Sequence, residues 1–407
     1  MLDLFYLPYY FLGHIVSTGF IPDFAIYKGG ENITARFQDR TVSLTVELAA
    51  GQSQQDAVDI VLDDRANMIK SPKVGDRLQV YLGYKDVGLA YMGDFEINSV
   101  RYSLVPALIT VRGTAASSLN DIKTHKIQEF EGKTVEEILA EAGSKIGMKV
   151  KIHKDIADQK IPFLNQTMSF GHLVGKLEQQ YSAVAKITDG QVTMVPRGSG
   201  KSVSDISMST FVFRPEHFTD LEALEDSKGA TAKTVASFTD KTTNKRVDVE
   251  AKSTLSDVGT EAEHRLSQPF LDEATAKAAA EAVQAQLDRS TSKVFGTLSE
   301  GDPWVRDAQR ILITGCRPGI DGAYLLEIVR HVFTKGSGIR TTFSGVGGSE
   351  GLPEAYADAG PTSRDFIAPK PGQVFGQMLP QLPGTELGQA FGSLPIFALN
   401  PPSIPTP

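Results

Sequence analysis

Two stretches far apart in the chain carry the same short β unit, and that repeat limits the folds open to it. Near the N-terminus, Val74-Gly75-Asp76-Arg77-Leu78-Gln79-Val80-Tyr81-Leu82 leads to Ala90-Tyr91-Met92-Gly93-Asp94-Phe95-Glu96-Ile97. Much later, Gly301-Asp302-Pro303-Trp304 runs through Gly315-Cys316-Arg317-Pro318-Gly319-Ile320-Asp321-Gly322 to Leu326-Glu327-Ile328-Val329-Arg330-His331. Each copy has a short apolar strand, a glycine-containing turn, then Ala-Tyr and a longer strand carrying Glu-Ile. A chain that builds one β unit twice, with no catalytic constellation between the copies, reads as assembly architecture rather than as an enzyme.

The period-two pattern extends this reading. From 22 to about 116, Val42, Leu44, Val46 and Leu48 alternate with Ser43, Thr45 and Glu47, and Val58, Ile60 and Leu62 with Asp59, Val61 and Asp63; Leu78, Val80 and Leu82 keep the same period, as do Ile109 and Val111 around Thr110. Alternation gives each strand one wet and one dry face, which predicts an antiparallel barrel or sandwich. Gly29-Gly30, Gly51, Asp63-Asp64 and Gly75-Asp76 mark the turns.

Between about 117 and 200 the texture becomes α+β. Thr134-Val135-Glu136-Glu137 is a capping box, and Val135, Ile138, Leu139, Ala142 and Ile146 form one apolar stripe behind it. Ser169 caps a second helix with Phe170, Leu173, Val174, Leu177 and Tyr181 inward, and Asp189-Gly190 turns a hairpin. The segment reads as a small self-contained insert. Further strands follow from 211 to about 249, and the alanine-rich run 272–288 is the clearest long helix. The last part of the chain holds about half of its 21 prolines, and after Lys370 only Glu386 is charged; this composition predicts a semi-extended tail.

The sequence carries few signs of chemistry. Gly198-Ser199-Gly200-Lys201-Ser202 ends like a phosphate loop, but Val195 stands where its first glycine belongs; Gly132-Lys133-Thr134 fails likewise at Ile127. The seven histidines show no His-x-x-x-His spacing for zinc. His331 lies in an apolar strand and is read as a hydrogen-bonded core or interface residue rather than a general base. Cys316 is the single cysteine, so no intramolecular disulfide is possible; Arg317 is near but no histidine is, which makes it a turn residue rather than a nucleophile. The basic run 241–246 lacks aromatics and is balanced by Asp248 and Glu250, as in a solvated loop. No cofactor is expected.

Composition sets the remaining bounds. The 407 residues suffice for two to four domains, and 41% hydrophobic with 22% charged residues is ordinary for globular chains. A net charge of -8 argues against a nucleic-acid clamp and suits a surface that DNA slides past. The apolar stretch 1–20 has Asp3 where a signal peptide needs positive charge, lacks a cleavage site, and is too short to cross a bilayer; it is read as an extension.

Taken in order, these features resemble the late control D protein family of tailed bacteriophages, the baseplate hubs of contractile tails. The matching pieces are Pro22-Asp23-Phe24-Ala25-Ile26 with Gly29-Gly30 and Ile33-Thr34, then Ser43-Leu44 and Val58-Asp59-Ile60-Val61-Leu62-Asp63-Asp64-Arg65. Gly75-Asp76-Arg77-Leu78 with Tyr81-Leu82-Gly83 follows, then Val195-Pro196-Arg197-Gly198, Gly301-Asp302-Pro303, and Arg317-Pro318-Gly319-Ile320-Asp321-Gly322 with Val329-Arg330-His331. The pattern spans about 22–346; the extension and the proline-rich tail depart from it.

The resemblance implies a mainly β chain with an α+β insert and two tube-type antiparallel β-barrel domains, assembled as a trimeric ring. The corresponding organisation is an extension over 1–21, a first barrel over 22–116, the insert over 117–200, a further β segment over 201–265, a helix and connection over 266–297, second-barrel strands over 298–347 and the tail over 348–407. It implies a structural, non-enzymatic hub that joins a hexameric tail tube to a trimeric central spike. Tape-measure and baseplate wedge proteins are its further partners, with no specific nucleic-acid binding and no stable membrane association. The implied location is the virion tail baseplate, with assembly in the host cytoplasm. Leu78, Val80, Leu82, Ile311, Leu312 and Ile313 are the expected strand residues at subunit or tube seams. Two other readings stay open: a hub or spike component of a type VI or other contractile secretion system, and a tail-associated peptidoglycan hydrolase.

Overall fold

Strand β1 (Pro22–Lys28) already shows how the fold works, because Phe24 and Ile26 point inward while Lys28 stays in water. The computed structural model describes residues 21–51, 55–65, 67, 69–115, 126–188, 190–199, 203, 210–225, 231–240, 245–255 and 261–348. The expected N-terminal extension (apart from Ile21), the proline-rich tail, Asp189 and most of 199–210 lie outside them.

The first unit continues with β2 (Glu31–Asn32), β3 (Thr41–Ala49), β4 (Ala57–Asp63), β5 (Arg77–Tyr84), β6 (Gly88–Leu104) and β7 (Ala107–Ala115). Their alternating apolar residues (Leu44, Val46, Leu48, Val58, Ile60, Leu62, Leu78, Val80, Leu82, Ile109 and Val111) fill one core. Each such side chain removed from water contributes about 1.5–3 kcal/mol, which is why the period-two pattern dictates the face.

The second module is α+β: β8 (Gln128–Thr134), α1 (Val135–Ser144), β9 (Lys149–Ile152), α2 (Lys154–Ala157), β10 (Lys160–Gln166), α3 (Phe170–Gln180), β11 (Ala183–Thr188) and β12 (Gln191–Pro196). Thr134 and Glu137 form the predicted capping box, and Ser169 accepts from the His172 amide. Gly190, at φ +69°, supplies the positive dihedral that the β11–β12 hairpin needs.

The chain then forms β13 (Phe211–Phe213), β14 (Phe218–Glu225), β15 (Lys233–Asp240), β16 (Lys245–Lys252), β17 (Glu263–Phe270), α4 (Glu273–Ser290), β18 (Ser292–Leu298), β19 (Arg310–Ile313), β20 (Gly322–Thr334) and β21 (Gly338–Gly348). Here two expected boundaries need correction. The insert over 117–200 is not self-contained: its core is shared with Ala236, Ala251, Leu266 and Phe270 and with the α4 stripe Ala276, Ala279, Ala280 and Val283. A two-helix insert has too little apolar surface to enclose both helices, so β15–β17 and α4 close it from the other side. The second β unit, likewise, begins before 298, because β13, β14 and β18 are strands of its sheet.

The chain is mainly β, and its largest sheet has 13 strands. The path β14-β18-β21-β20-β3-β4-β7-β6-β5-β1-β2 is antiparallel throughout, with β19 beside β20 and β13 added parallel to β19. The part from β20 to β1 rolls up: Phe24 on β1 meets Phe333 on β20, ring centroids 5.0 Å apart, across the common core. β20 serves both units. Gly322–Leu325 pairs with β19, whereas Ile328–Thr334 pairs with β3. The pairing shifts between Leu326 and Ile328, a bulge at Glu327 whose carbonyl accepts from the Ala50 amide at 2.7 Å. A bulge bends and twists its strand, and this one carries β20 from one core to the next.

The repeated unit is visible in the register. β5-β6-β7 and β19-β20-β21 are both three-stranded meanders with a long, bulged middle strand. Ala90 lies opposite Leu82, and Ala323 opposite Leu312.

Candidate assembly site at the junction of the two β units

The segment 301–307 fills the junction between the two β units. Gly301 has no room for a side chain there: a Cβ would lie 2.4 Å from the Ile339 carbonyl oxygen. The Tyr84 hydroxyl of β5 donates to the Gly301 carbonyl at 2.6 Å. Burial, aided by the nearby acids Asp302 and Glu300, pushes the Tyr84 phenol well above its ordinary range, so it remains a donor. Trp304 packs against both cores.

Asp302 is the unusual group. Its amide donates to Thr341 Oγ1 at 2.9 Å, and its Oδ1 accepts from the Trp304 amide at 3.0 Å. Oδ2 is buried and has no hydrogen-bond partner. Burial pushes the carboxyl pKa up to about 7, against the partial relief of the Trp304 and Val305 amides.

His331 lies directly opposite Thr341 in the β20–β21 register. Nδ1 is 2.9 Å from Thr341 Oγ1, and Nε2 is 3.0 Å from the Val305 carbonyl. A carbonyl only accepts, so Nε2 carries the proton and Nδ1 accepts from the threonine hydroxyl. Burial first, then the Arg306 charge, push the imidazole pKa down to about 3. A neutral ring with both nitrogens occupied and no exposure cannot take a proton from an outside substrate. His331 is the hydrogen-bonded core residue its apolar strand predicts.

The α+β module joins the same junction through ions. Lys186 on β11 sits between Asp56, at 3.1 Å, and Asp307, at 2.6 Å. Burial opposes the Lys186 ammonium, but the two carboxylates outweigh it and hold its pKa above the usual range. The Asp56 pKa is raised by burial and by Asp307 despite the lysine. Arg306 Nη2 donates to the Tyr91 carbonyl, and Arg197 bridges Glu178, at 3.4 Å, to Glu327, at 3.7 Å. Three parts of the chain are thereby held at fixed positions. Nothing in the spacing announces the Lys186–Asp56 pair, which is separated by 130 positions.

The residues expected at subunit or tube seams lie inside the fold of the single chain. Leu78, Val80, Leu82, Ile311, Leu312 and Ile313 are all buried within their own chain. β5 is paired on both sides, by β1 and β6, and β19 by β13 and β20. Among the described residues neither strand therefore has a free edge, and the partly exposed aromatic of β5 is Tyr81, beside Tyr27 and Tyr91. Strong alternation marks a core, and a seam needs residues the core has left over.

Other chemistry is sparse. Burial, then Asp321 and Glu216, raise the Cys316 thiol pKa, the opposite of nucleophile activation. Among the described residues no group of three or more His, Cys, Asp or Glu could hold a metal ion, and no helix is long and apolar enough to cross a membrane.

No family model matches the chain. A stretch of 189 residues is 22% identical to the probable baseplate hub protein of Escherichia phage 186, covering 46% of this chain and 48% of that protein. The chain thus matches about half the length of that relative. Among solved structures, the tail protein from Neisseria meningitidis MC58 superposes with a TM-score of 0.56 at 12% identity, over 84% of this chain and all of that one. The 43 kDa tail protein of prophage MuSo2 from Shewanella oneidensis gives 0.55 at 14% identity, over 80% and 98%. The fold is therefore one that phage tail proteins use, and the predicted resemblance to phage hubs agrees with the sequence match.

Proposed function

We propose that the chain is a structural baseplate hub of a contractile phage tail, working as a homotrimer that joins a sixfold tail tube to a threefold spike. The observation that carries this is the unbroken sheet that runs through both copies of the β unit. Two like units per chain give three chains six similar faces, and closed symmetry lets one ring match both neighbours. The phage 186 similarity and the tail-protein fold support the same reading.

The role is mechanical. Tail tube and central spike are the axial partners, with tape-measure and wedge proteins beside them, in a virion baseplate. The junction favours this role over catalysis, because Asp302 and His331 are enclosed rather than turned toward a substrate. The net charge of -8 suits a lumen that does not hold DNA during ejection.

Mass photometry of the full chain, alone and with its cognate spike protein, tests the proposal. A three-copy species that binds the spike is the expected result. A monomer under both conditions would remove it.

A further inference from the structure

Among the described residues, two open edges of the large sheet differ in charge. On β6 the pairing with β5 ends at Glu96 opposite Arg77, and the last bonds on that side join Gly75 and Asp76 to Ile97. Beyond this point, residues 98–104 pair, among the described residues, only with β7, and the Tyr102 hydroxyl meets Ser71 Oγ. Arg101, Tyr102, Ser103 and Leu104 are exposed, and the tip residues Leu104 and Val105 are 83% and 88% exposed. Between Ile97 and Ala115 the hairpin contains Arg101 and Arg112 and no acid.

Another open edge is β14, which ends the large sheet and, among the described residues, pairs only with β18. Its exposed residues include Asp220, Glu222 and Glu225, and it contains no Lys or Arg. Leu224 and, on the adjacent strand, Phe295 are exposed apolar residues there, at 44% and 43%. The far end of the sheet differs: the β1 edge is closed where Thr34 Oγ1 accepts from the Ile26 amide at 2.8 Å and the Ile33 amide donates to the Ile26 carbonyl at 2.9 Å. Open edges are templates for pairing, and proteins ordinarily protect them.

We propose that the open edge of β6, residues 98–104, pairs with β14 of a second copy of this chain, extending one copy's sheet into the next. Charge favours this pairing over either of these two edges pairing with itself. β14 against β14 would set carboxylates against carboxylates, and the hairpin against itself would oppose Arg101 to Arg101. The mixed pairing opposes arginine to acids and buries Leu104 and Val105 near Leu224 and Phe295. A contact between two different patches is head-to-tail, the kind that closes into a ring. The chain already joins its own two units in this way, at the β20–β3 seam, where Arg330 lies opposite Glu47 and its Nε donates to Oε2 at 2.9 Å.

This inference rests on the hub reading for its ring, and the test separates the two. Arg101→Glu and Glu222→Arg are each expected to weaken self-association of the full chain by about tenfold or more, and the double variant to restore it. Thermal melting of each variant shows whether the exposed substitutions leave the fold intact. In the wild-type assembly, hydrogen exchange of 98–104 and of 218–225 is expected to slow relative to dilute monomer, which requires no variant. An assembly that forms while either segment exchanges as in the monomer, or that ignores both reversals, overturns the seam and leaves the hub standing. A chain that stays monomeric at every concentration overturns both.

Discussion

The Tyr84 hydroxyl donates to the Gly301 carbonyl at 2.6 Å across 217 positions of sequence, pinning the first β unit to the connection that enters the second. The donor is kept protonated by burial, and the acceptor is within reach because Gly301 has no side chain.

Tyr84→Phe leaves a buried carbonyl without its donor and is expected to cost about 1–3 kcal/mol in urea unfolding. Gly301→Ala drives a methyl against the Ile339 backbone, which cannot swing aside, and is expected to cost about 3 kcal/mol or more. Equal, small effects from the two substitutions would contradict this account of the junction.

Asp302 and His331 predict opposite pH dependences. Asp302 titrates near 7 when folded against an ordinary 3.8, so its contribution is complete below pH 3.8 and is lost as pH rises through 7. The full span is on the order of 4 kcal/mol. His331 titrates near 3 against 6.5, so its contribution is complete above pH 6.5 and is lost as pH falls toward 3. The two slopes oppose each other between 3.8 and 6.5. Asp302→Asn should remove the Asp302 slope, and its stability relative to wild type should improve from pH 5 upward and level off above pH 7. Parallel denaturation profiles for the two proteins would exclude a buried, raised Asp302.

Lys186→Met strips the shared cation from Asp56 and Asp307, two carboxylates held close in a poorly hydrated seam. A loss of about 3 kcal/mol is expected. Adding Asp56→Asn and Asp307→Asn should recover most of it, because the cost lies in stranded charge rather than in lost attraction. If the triple variant is no more stable than the single one, the ions do not act as a unit.

Purified chain is expected to leave peptidoglycan intact in zymography. Asp302 is buried, and the His331 nitrogens are both occupied. Clearing that survives repurification would assign the chain a lytic activity.

Local signals were readable wherever neighbours in sequence are neighbours in space. Thr134 and Glu137 are three positions apart and form the capping box their types announce. Val80 and Leu82 alternate and fill a core. The same alternation places Leu78 and Ile311 in the cores of this chain and carries no information about a seam. Asp302 and His331 appeared as an acid before proline and a histidine in an apolar strand; their meeting through Thr341 depends on a hairpin register that composition does not specify.

Residue types and their period determined the strands, the helix caps and the repeated β unit, because these depend on torsions and on burying every second side chain. Tertiary structure alone decided that β20 crosses from one core to the other, that Lys186 reaches Asp56 and Asp307, and that β14 keeps an open edge. Such relations are set by which distant surfaces exclude water together, and no stretch of chain carries that information by itself.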